Sequence, residues 1–151
     1  MAAAAAAARR SVAEEEKYLE AHPLAGDGLT SWILDMVQQA ASCEQLRRGM
    51  VAATRTLRLG TAELVILAAD TEPREVLLPL KLSCEAHRVP FVFVASAAEL
   101  CLACGGPGVG PLPVTACSIS IRVGIHWSAH WNTQIQDLKD RIEHRRLGLG
   151  Y

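Results

Sequence analysis

The chain has 151 residues, 50% of them hydrophobic, and a formal net charge of −1. This size and composition predict one packed globular domain, and no apolar run is long enough to span a bilayer. Nucleic-acid-binding proteins usually carry a basic excess because phosphate neutralisation supplies much of their affinity, so the balanced charge argues against a strong autonomous nucleic-acid binder.

The chain opens on a low-complexity, alanine-rich stretch at residues 1–8. Arg9 and Arg10 follow it, and then an acidic run at residues 14–16. Mitochondrial transit peptides are poor in acidic residues, so a disordered tail leading into a short helix is the preferred interpretation. We predict a flexible tail over residues 1–21, one domain over 22–147 and a short tail over 148–151.

The first part of the domain is predicted to be helical. Residues 29–41 repeat apolar side chains at helical spacing, and Thr30 or Asp27 is expected to cap their start. A short second helix is expected to begin near residues 42–44. A third helix is expected over residues 50–58, with Gly60 as its C-cap signal.

Apolar strands and helices alternate in the second part. The strands are predicted at residues 64–69, 89–94 and 114–121. The helices are predicted at residues 73–87, 97–104 and 127–146. Pro73 is expected in the first turn of the first of these helices. Strands that alternate with helices place helical layers on both faces of a sheet. The predicted fold class is therefore α/β, a three-layer α/β/α sandwich with a small mixed sheet.

Three motifs could carry chemistry, and each lacks a necessary part. Cys101 and Cys104 form a CxxC, but no second ligand pair or thioredoxin-like context accompanies them. His126 and His130 lie four residues apart without an obvious third metal ligand. The glycine-rich residues 105–111 lack the Gly-Lys-Ser/Thr ending of a phosphate loop and are interpreted as a flexible insertion. We expect mostly buried, reduced cysteines, no metal, no cofactor and no enzymatic activity.

Five segments, in order, carry a resemblance to a known family. They read HPLAGDGLTSWILDMVQQ (22–39), QLRRGMVAATRTLRLG (45–60), AADTEPREVLLPLKLSCE (68–85), VPFVFVASAAELCLACG (89–105) and PVTACSIS (113–120). Together they resemble the kink-turn-binding family of small ribonucleoprotein proteins. The similarity is greatest to the branch found in box C/D small nucleolar ribonucleoproteins and the spliceosomal tri-snRNP.

The resemblance implies which residues would contact RNA. The family recognises a kink-turn, a sharply bent RNA with tandem sheared G·A pairs beside a three-nucleotide bulge. It implies that the helix beginning at Gly49 points its N-terminus at those pairs, with Arg48 and Arg55 supplying positive charge. It also implies that Glu72 and Val76 line the pocket of the extruded nucleotide.

This chain departs from the family pattern at the positions that read RNA. Where the family has Gly-Ala-Asn-Glu-Ala-Thr-Lys, residues 49–55 read GMVAATR, so Val51 and Ala52 replace Asn and Glu. Ala95 and Ala97 replace an arginine and a lysine in the loop after the second buried strand. A good bidentate base contact is worth about 1–3 kcal/mol, so these changes predict weakened or altered recognition.

The tryptophans are candidates for the core or for an interface. Trp32 stands where the family usually has lysine, and it could be an exposed anchor at a protein interface or an extension of the core. Trp131 has helical spacing with the last apolar face, which favours the core. Trp127 lies on or beside that helix.

The resemblance implies a non-catalytic RNA-binding subunit of a spliceosomal or box C/D nucleolar ribonucleoprotein, located in the nucleus and nucleolus. Its expected partners are structured RNA and other ribonucleoprotein subunits, with no membrane and no small-molecule substrate. A second interpretation is a protein-interaction module that has lost kink-turn binding, because Val51, Ala52, Ala95, Ala97 and Trp32 are apolar where the family is polar or charged. A third is an organellar ribosomal subunit.

Overall fold

A computed structural model describes residues 20–105, 114–120 and 129–148. The predicted tails (except residues 20–21 and 148), most of the glycine-rich insertion, His126 and Trp127 lie outside these residues. The helices are α1 (Asp27–Ser42), α2 (Met50–Leu59), a 3₁₀ helix (Arg74–Leu77), α3 (Leu78–Ala86), α4 (Ala97–Ala103) and α5 (Ala129–Arg146). The strands are β1 (Leu46–Arg48), β2 (Ala62–Ala68), β3 (Phe91–Val94) and β4 (Ala116–Ser120).

The four strands form one mixed sheet in the order β1-β4-β2-β3. β2 and β3 are parallel, while β4 runs antiparallel to both β1 and β2. The parallel pair is joined through α3, as a parallel connection requires. The small mixed sheet predicted from the sequence is confirmed.

Helices cover both faces of this sheet because β2 is apolar on both sides. Leu64 and Ile66 point into one core with Ile33, Leu100 and Leu138, which belong to α1, α4 and α5. Side chains that alternate along a strand face opposite sides, so the residues between these two face the second layer. There Val65 and Leu67 pack with residues of α2 and α3, including Leu57 and Leu80. The predicted three-layer α/β/α sandwich is confirmed.

The segment between α1 and α2 differs from the prediction. The short helix expected near residues 42–44 is wrong, because Ser42 ends α1 and Glu44 has a left-handed φ of 59°. The chain then enters β1, whose three residues pair with Ile119, Ser118 and Cys117 of β4. This strand was not predicted, since its state depends on a partner about seventy residues away.

Two helix starts also differ from the prediction. The N-cap of α1 is Gly26, which makes no side-chain cap, and Thr30 Oγ1 instead donates to the carbonyl oxygen of Ala25 at 3.3 Å. The expected side-chain cap from Asp27 or Thr30 is therefore wrong. The helix predicted from Pro73 begins as the 3₁₀ helix and becomes α-helical at Leu78.

A segment at residues 22–25 covers the outer edge of β3. The Ala25 N–H donates to the Phe93 carbonyl at 2.9 Å, and the Phe93 N–H donates to the Pro23 carbonyl at 2.8 Å. The segment is also attached to the end of α5, where His22 Nε2 lies 3.1 Å from the carbonyl oxygen of Arg146. The isolated bridge made by the two backbone hydrogen bonds occupies the outer edge of β3 at Phe93 and hinders the addition of another strand there.

A buried lysine, Lys81, donates a hydrogen bond to the backbone just before this segment. Lys81 of α3 is 6% exposed, donates from Nζ to the carbonyl of Glu20 at 3.0 Å, and has the rings of Phe91 and Phe93 at 6.0 and 5.8 Å. Burial lowers the pKa of Lys81 from its ordinary value, although the carboxylates of Glu85 and Glu20 oppose that shift.

The lowered pKa of Lys81 predicts a pH dependence of stability. The unfolded chain binds this proton more strongly than the folded one, so the free energy of unfolding rises as pH increases from the lowered pKa towards 10.5. We expect Lys81→Met to remove this rise. Urea unfolding of both proteins at neutral pH and near pH 10.5 measures it, and equal changes with pH in the two proteins would contradict the assignment.

Candidate nucleic-acid interface

The loops that follow the two parallel strands lie side by side at one edge of the sheet. β2 ends at Ala68 and β3 at Val94, and the next residue, Ala69, donates its N–H to the Val94 carbonyl at 2.8 Å. The Ala97 N–H donates to Asp70 Oδ1 at 2.9 Å, which ties the second loop to the first. The carboxyl ends of parallel strands are a common place for ligands in such sheets.

The helix α2 begins at the same edge. The Gly49 N–H donates to the Ala116 carbonyl at 2.8 Å, and Ala116 pairs with Leu67 near the end of β2. Gly49 has φ 91°, a conformation that favours glycine, and it gives α2 no side-chain cap. The N–H groups of the first turn therefore point outward with the positive end of the helix dipole, where they can meet an anion.

Arg48 is held in place against a second glycine at this edge. A Cβ atom added to Gly105 would lie 3.1 Å from Nη2 of Arg48, so the guanidinium packs directly over the bare Cα. Gly105 also has φ 103°, which disfavours other residues. The end of α4 thus positions the Arg48 side chain beside the start of α2.

Two buried thiols lie behind Arg48. Cys104 forms a hydrogen bond with Cys117, which lowers the pKa of Cys104; burial opposes this shift and the positive charge of Arg48 adds to it. The same hydrogen bond and burial raise the pKa of Cys117. Cys104 of the CxxC therefore pairs with a thiol of β4, and Cys101 is separately buried. The expected free and mostly buried cysteines are confirmed, since only Cys43 is exposed.

The described part of the chain contains no group of three or more His, Cys, Asp or Glu side chains placed to hold a metal ion. His130 is exposed on α5, and its predicted partner His126 lies outside that part. No helix of these residues is long and apolar enough to cross a membrane.

The other candidate positions divide between exposed and buried sites. Glu72 and Ala95 are exposed, and Val76 shows 44% of its surface to solvent. Val51 is 77% exposed, so its aliphatic side chain stands in solvent in the first turn of α2. Ala97, in contrast, is 9% exposed and faces the core. The structure thus brings the loops of Glu72 and Ala95 to the edge where Arg48 and Gly49 lie.

The outward face of α2 continues the interface away from that edge. Met50, Val51, Thr54, Arg55 and Arg58 line a shallow open groove along the helix. Arg58 was not among the predicted site residues. The sequence did contain an indication that Arg58 belongs to a basic surface, because residues 45–62 hold four arginines and no acidic residue.

Comparison with known proteins identifies the family. Residues 32–120 match the model of the ribosomal protein L7Ae/L30e/S12e/Gadd45 family. The chain belongs to this family. The resemblance carried by the five sequence segments is therefore confirmed at the level of this family.

Relatives of this L7Ae-type chain match it over most of its length. A Xenopus tropicalis protein named NHP2-like protein 1 is 45% identical over 130 residues, which cover 86% of this chain and 95% of the relative. A Saccharomyces cerevisiae 13 kDa ribonucleoprotein-associated protein is 47% identical over 124 residues, which cover 82% and 92%. The solved structure of a Giardia lamblia 15.5kD RNA binding protein matches with a TM-score of 0.72 at 31% identity, covering 83% and 96%.

In this L7Ae-type domain, Trp32 is not a freely exposed side chain. It is half-buried against the core beneath α1, and the guanidinium carbon of Arg141 lies 5.6 Å from its ring centroid. Arg141 therefore covers part of the face that an interface would use, and a role in protein binding stays a prediction. Trp131 is 6% exposed, so its predicted place in the core is confirmed.

A buried hydroxyl pair fixes how α2 of the L7Ae-type domain sits on the sheet. Thr56 Oγ1 lies 2.9 Å from Ser118 Oγ of β4 and 2.6 Å from the carbonyl of Ala53. We expect Thr56→Val to lower the free energy of unfolding by about 1–2 kcal/mol, because Ser118 would lose a buried partner. Thermal unfolding measures the loss. Thr54→Val, on the half-exposed side of the same helix, is the control, and an equal loss there would contradict the assignment.

Proposed function

We propose that this chain is a non-catalytic, RNA-binding subunit of a ribonucleoprotein. The observation that carries the proposal is the meeting of Arg48, the uncapped start of α2 at Gly49 and the Glu72 loop at one edge of the sheet. Relatives named as ribonucleoprotein-associated and RNA-binding proteins support it. Its partners would be structured RNA and neighbouring proteins of the particle, in the nucleus and nucleolus.

The chemistry of this edge suits a bent RNA. The first-turn N–H groups of α2 and the guanidinium of Arg48 attract phosphate, and Arg55 adds charge farther along the helix. The exposed apolar surface of Val76 can cover the face of an unstacked base, while the Glu72 carboxylate can accept hydrogen bonds from its N–H groups. A kink-turn-like RNA of the box C/D or spliceosomal tri-snRNP type presents both features.

Affinity for that RNA is proposed to be lower than a conventional family member would have. Val51 and Ala52 occupy the first turn of α2, and neither side chain has a hydrogen-bonding atom. Two missing contacts of about 1–3 kcal/mol each leave more of the binding energy to phosphates and to neighbouring proteins. The particle, rather than this chain alone, would then secure the RNA.

A gel-shift titration of the full chain with a kink-turn RNA tests the proposal. We expect binding at micromolar protein and low salt, weakened by Glu72→Gln. Glu85→Gln, which removes an exposed carboxylate at the other end of α3, is the matched control and should leave binding unchanged. The absence of binding under these conditions would rule out direct RNA recognition by this chain.

The second candidate function is a protein-interaction module. The observation that favours it is the exposure of Val51 (77%) and Leu59 (69%) at the two ends of α2. Exposed aliphatic side chains on one helix can anchor a protein partner. Affinity capture from cell extract with and without ribonuclease separates the two functions. Partners lost with ribonuclease support the RNA-binding subunit, and partners that resist it support the module.

A further inference from the structure

The segment that contains α2 has an unusual charge for this chain. Residues 45–62 contain Arg47, Arg48, Arg55 and Arg58 and no aspartate or glutamate, whereas the whole chain has a net charge of −1. Glu44 and Glu63 flank this range, but no acidic residue lies between its four arginines, and such a cluster of cations creates a local positive field that a polyanion can use. The chain therefore has a locally basic segment although its total charge is nearly balanced.

Three of these arginines are available to a ligand. Arg55 and Arg58 are exposed one turn apart on α2, and neither forms an ion pair within the described residues. Arg48 lies at the start of the helix against Gly105. Arg47 is different, because its Nη1 donates to the carbonyls of Glu44 and Leu46 at 3.2 and 3.3 Å.

The groove beside Arg55 and Arg58 offers almost nothing that could read a base. Its other lining side chains are Met50, Val51 and Thr54. The side chains of Met50 and Val51 have no hydrogen-bond donor, and the Thr54 hydroxyl already donates to the Met50 carbonyl at 2.8 Å. Base identity is read through donors and acceptors on base edges, whereas phosphate contacts position a nucleic acid without reading its sequence.

We infer that the outward face of α2 binds the phosphate backbone of RNA, with Arg58 acting together with Arg55 and Arg48. Arg58 contacts the RNA there through its phosphates and not through its bases. This inference rests on the proposed function, since it concerns how RNA is held once it binds. It assigns Arg58 a direct phosphate contact, whose contribution to affinity does not depend on the base sequence.

The inference predicts two measurable properties. The contribution of Arg58 should be the same for a kink-turn RNA and for a straight duplex of equal length, because a phosphate contact does not read base identity. Affinity for both should fall steeply with salt, by about 0.7–0.9 logarithmic units per tenfold salt for each phosphate neutralised. Arg58→Ala should weaken both complexes by the same factor. It should also reduce the slope of log affinity against log salt by about 0.7–0.9, the value for one phosphate contact.

The experiment is a fluorescence-anisotropy titration of the full chain with both RNAs over a series of KCl concentrations. Arg58→Lys keeps the charge and should retain the salt slope. Arg88→Gly is the charge-matched control, because Arg88 is exposed at the end of α3 and has a φ of 56° that glycine adopts readily. It should leave the affinity and slope unchanged.

The possible results separate this inference from the proposed function. If the wild-type chain binds neither RNA, the proposed function fails and this inference fails with it. If Arg58→Ala weakens the kink-turn complex and leaves the duplex complex unchanged, Arg58 does not make a general phosphate contact and only this inference fails. It also fails alone if Arg58→Ala behaves like Arg88→Gly. A uniform loss for both RNAs with a reduced salt slope supports it.

Discussion

Val51→Asn together with Ala52→Glu is expected to tighten the binding of kink-turn RNA by about a hundredfold. Each new side chain can hydrogen-bond a base edge, and a good contact of this kind is worth about 1–3 kcal/mol. Val51 is 77% exposed, so a polar residue there leaves the core unchanged. Ala52 is the third residue of α2, a position where glutamate also favours the helix dipole.

Titrations with kink-turn RNA and with the straight duplex measure the effect. Affinity for the duplex should not increase, because the added residues read bases and bring no positive charge. Val51→Leu is the control, because it changes the exposed side chain without adding a hydrogen-bonding atom. It should leave the affinities for both RNAs unchanged. An equal gain for both RNAs, or no gain for the kink-turn, would show that α2 does not face the bases.

Leu80→Ala is expected to lower the free energy of unfolding by about 3–4 kcal/mol. Leu80 of α3 has no exposed surface and packs with Leu57 of α2 and Val65 of β2. Its truncation therefore leaves a cavity between the sheet and the helical layer that carries the candidate interface. A loss of this size is a large part of the stability of an ordinary domain.

Leu82→Ala supplies the matched control for that prediction. Leu82 is two residues farther along α3 and is 42% exposed, so its truncation should cost less than about 1 kcal/mol. Urea unfolding of both variants measures the difference, with the dependence on denaturant checked for two-state behaviour. Equal losses would contradict the packing of α3 on the sheet.

The elements predicted well are those whose pattern is local. The apolar run at residues 64–69 became β2 (Ala62–Ala68), and the helix ended by Gly60 became α2 (Met50–Leu59). β1 was missed because three residues carry no usable periodicity. Their strand state comes from pairing with β4, which no local pattern contains.

The candidate site was predictable only in part. Gly49, Glu72 and Val76 came from the family resemblance, and the fold places their segments at one edge. Arg58 was not predicted, because its exposure beside Arg55 depends on which side of α2 packs against the sheet. The half-buried state of Trp32 depends on Arg141, more than a hundred residues away, and a helical pattern in α1 says nothing about that contact.

The contact between His22 and the carbonyl of Arg146 joins residues 124 positions apart, and Arg145 Nε donates to the carbonyl of Leu24 beside it. The backbone between residues 22 and 146 therefore traces a nearly closed ring. A short linker across this junction would allow the chain to be opened elsewhere, for example beside Gly60, while every strand keeps its neighbours. Such a circular permutant would place new chain ends at the far end of α2, where a probe could report on bound RNA.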